Sequence, residues 1–519
     1  MTFSRVAVAT PETLIGAPIE NSDIISKYIL EAHNVSADLL LTPELSLTCY
    51  TCGDLFFNAD LLQQVDAGLE KLRVTSQAYS FPIVVGAPIK FADRLFNCAV
   101  ILSKGEFVGV IPKITLPNTN EFYEARWFTS GKDITRMQVS IGCQENLVPF
   151  DSNLIFSDNA RKFKFGVEIC EDLWSVIPPS SYHALNGANI ILNLSASNEL
   201  VGKAKYRRSL VMNQSARCNS AYIYASCGTY ESSTDTVYSG HCIIAENGTI
   251  LKERQPFSKE NFIYADIDLG ILEHDRLKNS SFKQSQSQSE PFVIPNWKLN
   301  NIEAPSRDYT QYPFVPNDPK DRLETCKEIF NIQINGLRRR LSSVSENCKM
   351  VIGISGGLDS TLALGVCCGV ARANGQSRKD IIAVGMPGFG TSELTKQNAR
   401  DLAGGMGVQY IEIDICETVL SHFNDIGHDP KVTDLVFENA QARERTHILF
   451  DLANKYNGIV IGTGDLSEKV LGWSTFGGDQ ISMYDVNSGV PKTLVTSLVD
   501  YLAKEDVFVK AKSVVDSIL

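Results

Sequence analysis

The chain has 519 residues, 44% of them hydrophobic and 21% charged, with a formal net charge of −12. That length exceeds one ordinary core, so two or more domains are expected, and the composition is that of a soluble globular protein. The acidic balance disfavours nonspecific nucleic-acid binding, which demands a basic surface, but leaves room for small anionic substrates in a local positive pocket.

The opening MTFSRVAVATPETLIGAPIEN holds no long apolar run before a cleavage site. From Phe3 to about Asp268, short apolar strands alternate with helical stretches. ADLLLTPE, FPIVVGAP, NCAVILSKGEFVGVIPK, FKFGVEIC, ANIILNLSAS and AYIYASC read as buried strands, and NSDIISKYILEAHNVS as a helix. This predicts an α/β layered domain over residues 1–270. Residues 271–322 are rich in Ser, Gln, Asn and Pro and read as an extended linker without packed structure. DRLETCKEIFNIQINGLRRRLSSV has helical periodicity, and strands MVIGIS, DIIAVGMP, VQYIEIDI and NGIVIGTG then alternate with helices. Residues 323–519 are therefore expected to form a doubly wound parallel sheet with ligands at its strand C-termini. No apolar stretch is long enough to span a bilayer. Thirteen cysteines are scattered without a framework, which fits a reducing, cytoplasmic setting.

Three polar residues of the first half each follow a predicted buried strand: Glu44 in LLLTPELSLTCY, Lys113 in GVIPKITLPN and Cys170 in FGVEICEDLW. Strand ends present side chains to a cleft. A glutamate can deprotonate a thiol, and a lysine can stabilise the oxyanion that forms on attack at an amide. Taken singly, each has a bland alternative, an inert core cysteine or a solvated charge at a strand end. The strings PEL…GDLFF, PKITLPNTNEFYEARWF and GVEICEDLW decide between them, because they resemble the nitrilase superfamily of C–N hydrolases in that family's order. The resemblance implies an αββα sandwich, with Glu44 as general base, Lys113 as transition-state stabiliser and Cys170 as nucleophile. It also implies Glu121 as the second glutamate that supports the triad. Cys49 and Cys52 form a CxxC without a second pair, and ordinary buried thiols are the expected reading. Cys367 and Cys368 read as core.

In VIGISGGLDSTLALGVC, a strand stops at Ser355-Gly356-Gly357 and a helix follows. No lysine follows the glycines, so this is not the usual nucleotide loop. Gly356 and Gly357 allow close backbone approach, the helix N-terminus offers N–H groups, and Ser355 and Ser360 add hydroxyls. Asp359 beside a phosphate requires a bridging cation, for which Mg2+ is the natural choice; the bland alternative is a helix first-turn acid. SGGLDS resembles the pyrophosphatase loop of the ATP-pyrophosphatase superfamily, whose members adenylate a carboxyl or carbonyl oxygen and release pyrophosphate. A tRNA-thiolating member would want a basic RNA surface, which the charge balance disfavours.

ENAQARERTHILFDLANKYNGIVIGTGDLSEKVLGWSTFGGDQISMYDVNSGVPKTLV and YPFVPNDP resemble the glutamine-dependent NAD synthetase family almost end to end. That resemblance implies ATP-dependent amidation of deamido-NAD through an acyl-adenylate, with ammonia made from glutamine in the first domain. It places ATP at Ser355, Gly356, Gly357, Asp359, Ser360, Thr463 and Lys492. It places deamido-NAD at Asn439, Arg443 and Glu468, and Mg2+ at Asp359 and Glu468. The RER of NAQARER is otherwise a charged helix face. From CEDLW and NLSASNELVGK it assigns Glu171, Trp174, Ser197 and Lys203 to glutamine. Thr119 stands where some members place a tyrosine, a departure at one substrate contact. The expected partners are these small molecules and further copies of the chain in a homo-oligomer, with no nucleic acid and no membrane. Family members usually continue past the position matching Leu519, so the synthetase domain is expected to be incomplete. A reading from another class follows from that: a synthetase-dead glutaminase, or an interaction subunit that joins intact copies.

Overall fold

In the computed structural model, residues 3–519 are described except 145, 288–289, 346, 506–507 and 509–510. The chain divides into two units, residues 1–308 and 309–519.

The first unit is built on two sheets. One has eight strands: β1 (Phe3–Ala9), β2 (Leu39–Leu41), β3 (Ile83–Phe91), β4 (Arg94–Ser103), β5 (Glu106–Pro112), β6 (Met137–Val139), β7 (Val148–Phe150) and β14 (Phe262–Asp268), in the order β14-β1-β2-β3-β4-β5-β7-β6. The other has seven: β8 (Ile155–Ser157), β9 (Lys164–Ile169), β10 (Ile190–Ser195), β11 (Ala221–Ser226), β12 (Cys242–Glu246), β13 (Thr249–Arg254) and β15 (Phe292–Val293), in the order β13-β12-β11-β10-β9-β8-β15. Successive side chains of a strand point to opposite faces, and the cores follow that alternation. Val6, Val8, Leu39 and Leu41 of the first sheet share a core with Val167, Ile169, Leu192 and Ile223 of the second. Their neighbours Ala7, Ala9 and Leu40 pack instead on Ile25, Ile29, Leu69 and Leu72 of the helices Pro18–Asn34 and Ala59–Ser76. On the far side, Ile191, Tyr222 and Ile243 pack against Val211 of the helix Lys203–Arg217. The layers are thus helix, sheet, sheet, helix. Because both faces of the inner strands are covered, those strands read as near-continuous apolar runs.

The stretch expected to be an unpacked linker is largely part of this unit, up to Asp308. Helices Leu269–Lys278 and Ser280–Ser285 follow β14, and β15 pairs in parallel with β8. Ile294 and Trp297 are buried in the core between the sheets. Asn300 N–H donates to Asp38 at 2.7 Å and Ser306 N–H to Asp266 at 2.6 Å. A polar composition concealed the segment because two apolar anchors and a row of backbone donors suffice to dock it.

The second unit carries a five-stranded, all-parallel sheet of β16 (Lys349–Gly353), β17 (Ile381–Gly385), β18 (Gln409–Glu412), β19 (Gly458–Gly462) and β20 (Tyr484–Asp485), in the order β18-β17-β16-β19-β20. The first four were expected from the sequence; β20, two residues long, was not. Met350 and Ile352 face one core and Val351 the other. The helix Pro319–Val344 starts on Asp318, whose side chain accepts from Lys320 N and Asp321 N, with proline at its first position. The helix Leu358–Asn374 is buried from Ser360 to Ala371, so Cys367 and Cys368 are core. The chain order reverses on either side of β16, a switch point that opens a crevice beyond the C-terminal ends of β16 and β19.

Candidate active sites

In the first unit, Glu44 follows β2, Lys113 follows β5 and Cys170 follows β9. All three are buried. Lys113 Nζ donates to Glu44 Oε1 at 2.6 Å and to Glu124 Oε1 at 2.6 Å. Asn97 Nδ2 also donates to Glu44 Oε1 at 2.6 Å, and Ala196 N–H donates to Glu44 Oε2 at 2.8 Å. Cys170 sits in the left-handed region, at φ 46°, where the chain turns sharply from β9 into the short helix Cys170–Trp174. A non-glycine residue pays strain there, and the surrounding structure holds it. Asp172, fully buried, accepts from Ile169 N–H at 3.0 Å and Thr115 N–H at 2.7 Å. That one carboxylate ties the turn of Cys170 to the segment leaving Lys113.

The electrostatics follow from burial. Burial works against the Lys113 ammonium, yet Glu124 and Glu44 hold its pKa well above the usual amine range. Burial pushes the Glu124 carboxyl up to about 7. Burial, then the charge of Glu44, raises the Cys170 thiol, and Lys113 opposes that. The resting thiol therefore keeps its proton until a base takes it.

Glu121, expected beside the triad, does not contact Lys113; Glu124 does. Glu124 accepts from Lys113 and from Tyr50 OH at 2.8 Å. Glu121 accepts instead from Asn198 Nδ2. The two glutamates lie three residues apart in NEFYEARWF, and spacing alone does not choose between them. The chain turns at Asn120, at φ 55°, before the short helix Glu124–Trp127, which carries only the later glutamate inward.

Beside the thiol, Lys203 Nζ bonds Asn198 Oδ1 and lies 5.4 Å from the Trp174 ring centroid and 5.6 Å from that of Phe122. Burial lowers the Lys203 pKa and raises that of Glu171. Ser197 is buried and accepts from Arg207 Nη2 at 3.2 Å. Thr119 is exposed. Cys49 and Cys52 are buried thiols.

In the second unit, a cavity of about 610 Å³ opens at the C-terminal ends of β16, β17 and β19, lined by Ser355, Gly357, Asp359, Ser360, Thr463 and Glu468 among others. Gly356 has φ 79°, and a Cβ there would lie 2.5 Å from Thr395 O; only glycine fits this turn. Ser360 Oγ lies 3.3 Å from Ser355 Oγ and donates to Gly357 O at 3.0 Å. Lys492 Nζ lies 2.5 Å from Asp359 Oδ2, 3.3 Å from Asp465 Oδ2 and 3.8 Å from Glu468 Oε1. Partial burial works against the Lys492 charge, but Asp359 and Asp465 keep its pKa raised.

Among the described residues, Asp359, Asp465 and Glu468 each place a carboxylate oxygen within 4.8 Å of the others. Asp359 Oδ1 is buried without a hydrogen-bond partner. Three hard oxygen donors and an unpartnered one among them suit a divalent cation. Asp465 was not foreseen. Its signal was the D-x-x-E of a capping box: Glu468 N–H donates to Asp465 Oδ1 at 2.9 Å, and Asp465 N–H donates back to Glu468 Oε2 at 3.2 Å. Asn487, also unforeseen and fully buried, donates to Asp359 O at 3.0 Å and Thr463 O at 3.1 Å, fastening the two loops together.

Asn439 and Arg443 do not line this cavity; Ala442, Arg445, Thr446 and Leu449 of the same helix do. Asn439 Oδ1 accepts from Thr475 Oγ1 at 2.9 Å, and Arg443 Nε donates to Phe476 O at 3.1 Å. Both brace the segment that follows the helix Leu466–Leu471.

Residues 5–276 match the carbon–nitrogen hydrolase family and residues 329–514 the NAD synthase family. The glutamine-dependent NAD(+) synthetase of Mycobacterium bovis is 40% identical over 533 aligned residues, covering 100% of this chain and 78% of that protein. The Thermotoga maritima protein of the same description is 28% identical, covering 94% of this chain and 79% of its own length. A solved structure of glutamine-dependent NAD+ synthetase from Acinetobacter baumannii, in complex with adenosine diphosphate, is 23% identical with a TM-score of 0.43, covering 99% of this chain and 85% of that one. With both family regions in order along one polypeptide and two-fifths identity over its whole length, this chain belongs to the glutamine-dependent NAD(+) synthetase family.

Proposed function

We propose that this chain makes NAD from deamido-NAD, ATP and glutamine, with the two sites dividing the work. The observation that carries this reading is the pairing, in one chain, of a buried Cys170–Lys113–Glu44 constellation with a glycine loop set beside three carboxylates. In the first unit Glu44 takes the Cys170 proton as the thiolate attacks the glutamine side-chain carbonyl, and Lys113 stabilises the oxyanion. The C–N bond then breaks, and ammonia leaves with the proton that Glu44 returns. Glu44 next deprotonates a water that hydrolyses the glutamyl thioester, restoring the thiol. Glu124 keeps the Lys113 ammonium in place. Glu171, Trp174, Ser197 and Lys203 hold the glutamine, and Glu121 steadies Asn198 beside Lys203.

In the second unit the pyridine carboxylate of deamido-NAD attacks the α-phosphorus of ATP and pyrophosphate leaves. A carboxylate does not react with ammonia at neutral pH; the acyl-adenylate does, and AMP departs with the C–O bond. Ser355, Gly356, Gly357 and Ser360 cradle the pyrophosphate, and Thr463 and Lys492 flank it. Asp359, Asp465 and Glu468 would hold Mg2+, which neutralises the charge of the departing pyrophosphate. Asn439 and Arg443 orient deamido-NAD through the segment they brace.

A homo-oligomer in a reducing, cytoplasmic setting belongs to the same reading. Supporting it are thirteen free cysteines and the apolar side chains of Val470, Leu471, Trp473 and Phe476, exposed by 75–83% on one short segment. Among the described residues no helix is long and apolar enough to cross a membrane.

The test is product analysis with deamido-NAD, ATP, Mg2+ and either glutamine or ammonia. NAD, AMP and pyrophosphate are expected from both nitrogen sources, and ADP as the product would rule out adenylation.

A further inference from the structure

One fully buried guanidinium in the first unit is used by none of the steps above. Arg207 lies one helical turn after Lys203, on the same face of the helix Lys203–Arg217. Lys203 Nζ bonds Asn198 Oδ1, and Arg207 reaches the same segment, residues 197–199. Its Nη2 donates to Ser197 Oγ and to Asn198 O, each at 3.2 Å. Its Nη1 donates to Glu199 Oε2 at 3.1 Å and stands 2.9 Å from His241 Nδ1. A guanidinium has no acceptor. His241 Nδ1 must therefore offer its lone pair to Arg207, which puts the ring proton on Nε2, 2.8 Å from Glu253 Oε1. Burial, which lowers the His241 pKa, keeps the ring in that neutral form.

The segment that Arg207 grips also touches Glu44, Lys203 and Glu121. Ala196 N–H donates to Glu44 Oε2, the Ser197 hydroxyl accepts from Arg207, and Asn198 joins Lys203 to Glu121. Among the described residues Arg207 makes no hydrogen bond to Glu44, Lys113 or Cys170. We propose that Arg207 is a positioning residue for glutamine: its fork, oriented by His241, sets Ser197 and Asn198 where they and Lys203 receive the substrate. This rests on the reading that Ser197 and Lys203 contact glutamine.

An ammonium cannot span four acceptors as a planar fork does. Arg207→Lys in the full chain should raise the glutamine KM about tenfold while kcat changes by less than about threefold. His241→Gln keeps an acceptor for Arg207 and a donor for Glu253, so its KM should stay within about twofold of the parent; His241→Leu keeps neither and should follow Arg207→Lys. Ammonia-driven NAD formation and iodoacetamide labelling of Cys170 should be unchanged throughout. Ser197→Ala and Lys203→Met test the underlying reading: if neither raises the glutamine KM, that reading fails and this inference with it. If they do raise it while Arg207→Lys and His241→Leu leave it unchanged, or lower kcat and ammonia-driven synthesis in equal measure, Arg207 has no positioning role and this inference alone is overturned.

Discussion

The two sites treat charge in opposite ways. Around the thiol, the side chains of Lys113, Glu44 and Glu124 are 0%, 0% and 1% exposed. At the glycine loop, Lys492 is 50% exposed, Asp359 23% and Glu468 33%, with Asp465 alone fully buried. The first site is assembled before substrate arrives, with Lys113 already held between Glu44 and Glu124, and glutamine brings no net charge. The second is open, and its ligands bring their own charges, four or so on the triphosphate and one on the pyridine carboxylate. A buried network is fixed by what the protein supplies; an open one by what it binds.

The sharpest break between them is functional. Cys170→Ala should abolish NAD formation from glutamine and leave formation from ammonia largely intact. Asp359→Ala should stop AMP release with either nitrogen source while glutamine hydrolysis persists. Equal losses from both nitrogen sources in the cysteine variant would dissolve the two-site division. Undiminished AMP release from the aspartate variant would make Asp359 only a helix first-turn acid.

Stability separates the sites next. Lys113→Met leaves two buried carboxylates facing one another, a change worth about 3–5 kcal/mol. Lys492→Met removes a half-exposed ammonium whose pairs with Asp359 and Glu468 are screened by water, worth about 0–1 kcal/mol each, with only the longer 3.3 Å contact to buried Asp465 adding to that. Denaturant unfolding of the two variants should show that gap, even though both lose turnover at their own site. Comparable destabilisation would mean that the open site is held by its charges as firmly as the closed one.

The inner strands β2–β5, β9–β11 and β16–β19 are legible because covered strands write themselves as apolar runs, and Glu44, Lys113 and Cys170 each follow such a run; the short edge strands, β20 among them, are not legible. What escaped has physical reasons. Glu124 escapes because two glutamates three residues apart look alike in the sequence, and only the short helix Glu124–Trp127 carries the later one to Lys113. Asp465 shows in the sequence only as the cap of the helix that carries Glu468, and Asn487 acts across loops that the sheet brings together. Residues 271–308 were read as linker from their polar composition, while their docking rests on Ile294, Trp297 and a few backbone donors. Trp297→Ala should therefore cost the first unit about 3–5 kcal/mol, the usual loss for a large buried aromatic. An unchanged unfolding midpoint would restore the linker reading.

The smallest effect tests how the closed network controls its nucleophile. Burial and the Glu44 charge hold the Cys170 thiol above its ordinary pKa, and Lys113 offsets only part of that. A raised thiol pKa favours the protonated form, so the thiolate fraction falls as pH falls. Without glutamine, labelling by iodoacetamide should then rise about tenfold per pH unit from 7 to 9, with no plateau in that window. Glu44→Gln removes the larger of the two charges, Glu44 and Glu124, that raise the thiol and leaves Lys113 to lower it. Labelling at a fixed pH should increase in this variant, while glutamine hydrolysis collapses for want of a base. The two readouts move in opposite directions only if Glu44 acts on the resting thiol as a charge and on the substrate complex as a base. Slower labelling in Glu44→Gln would mean that the carboxylate already draws the proton from the thiol before substrate binds.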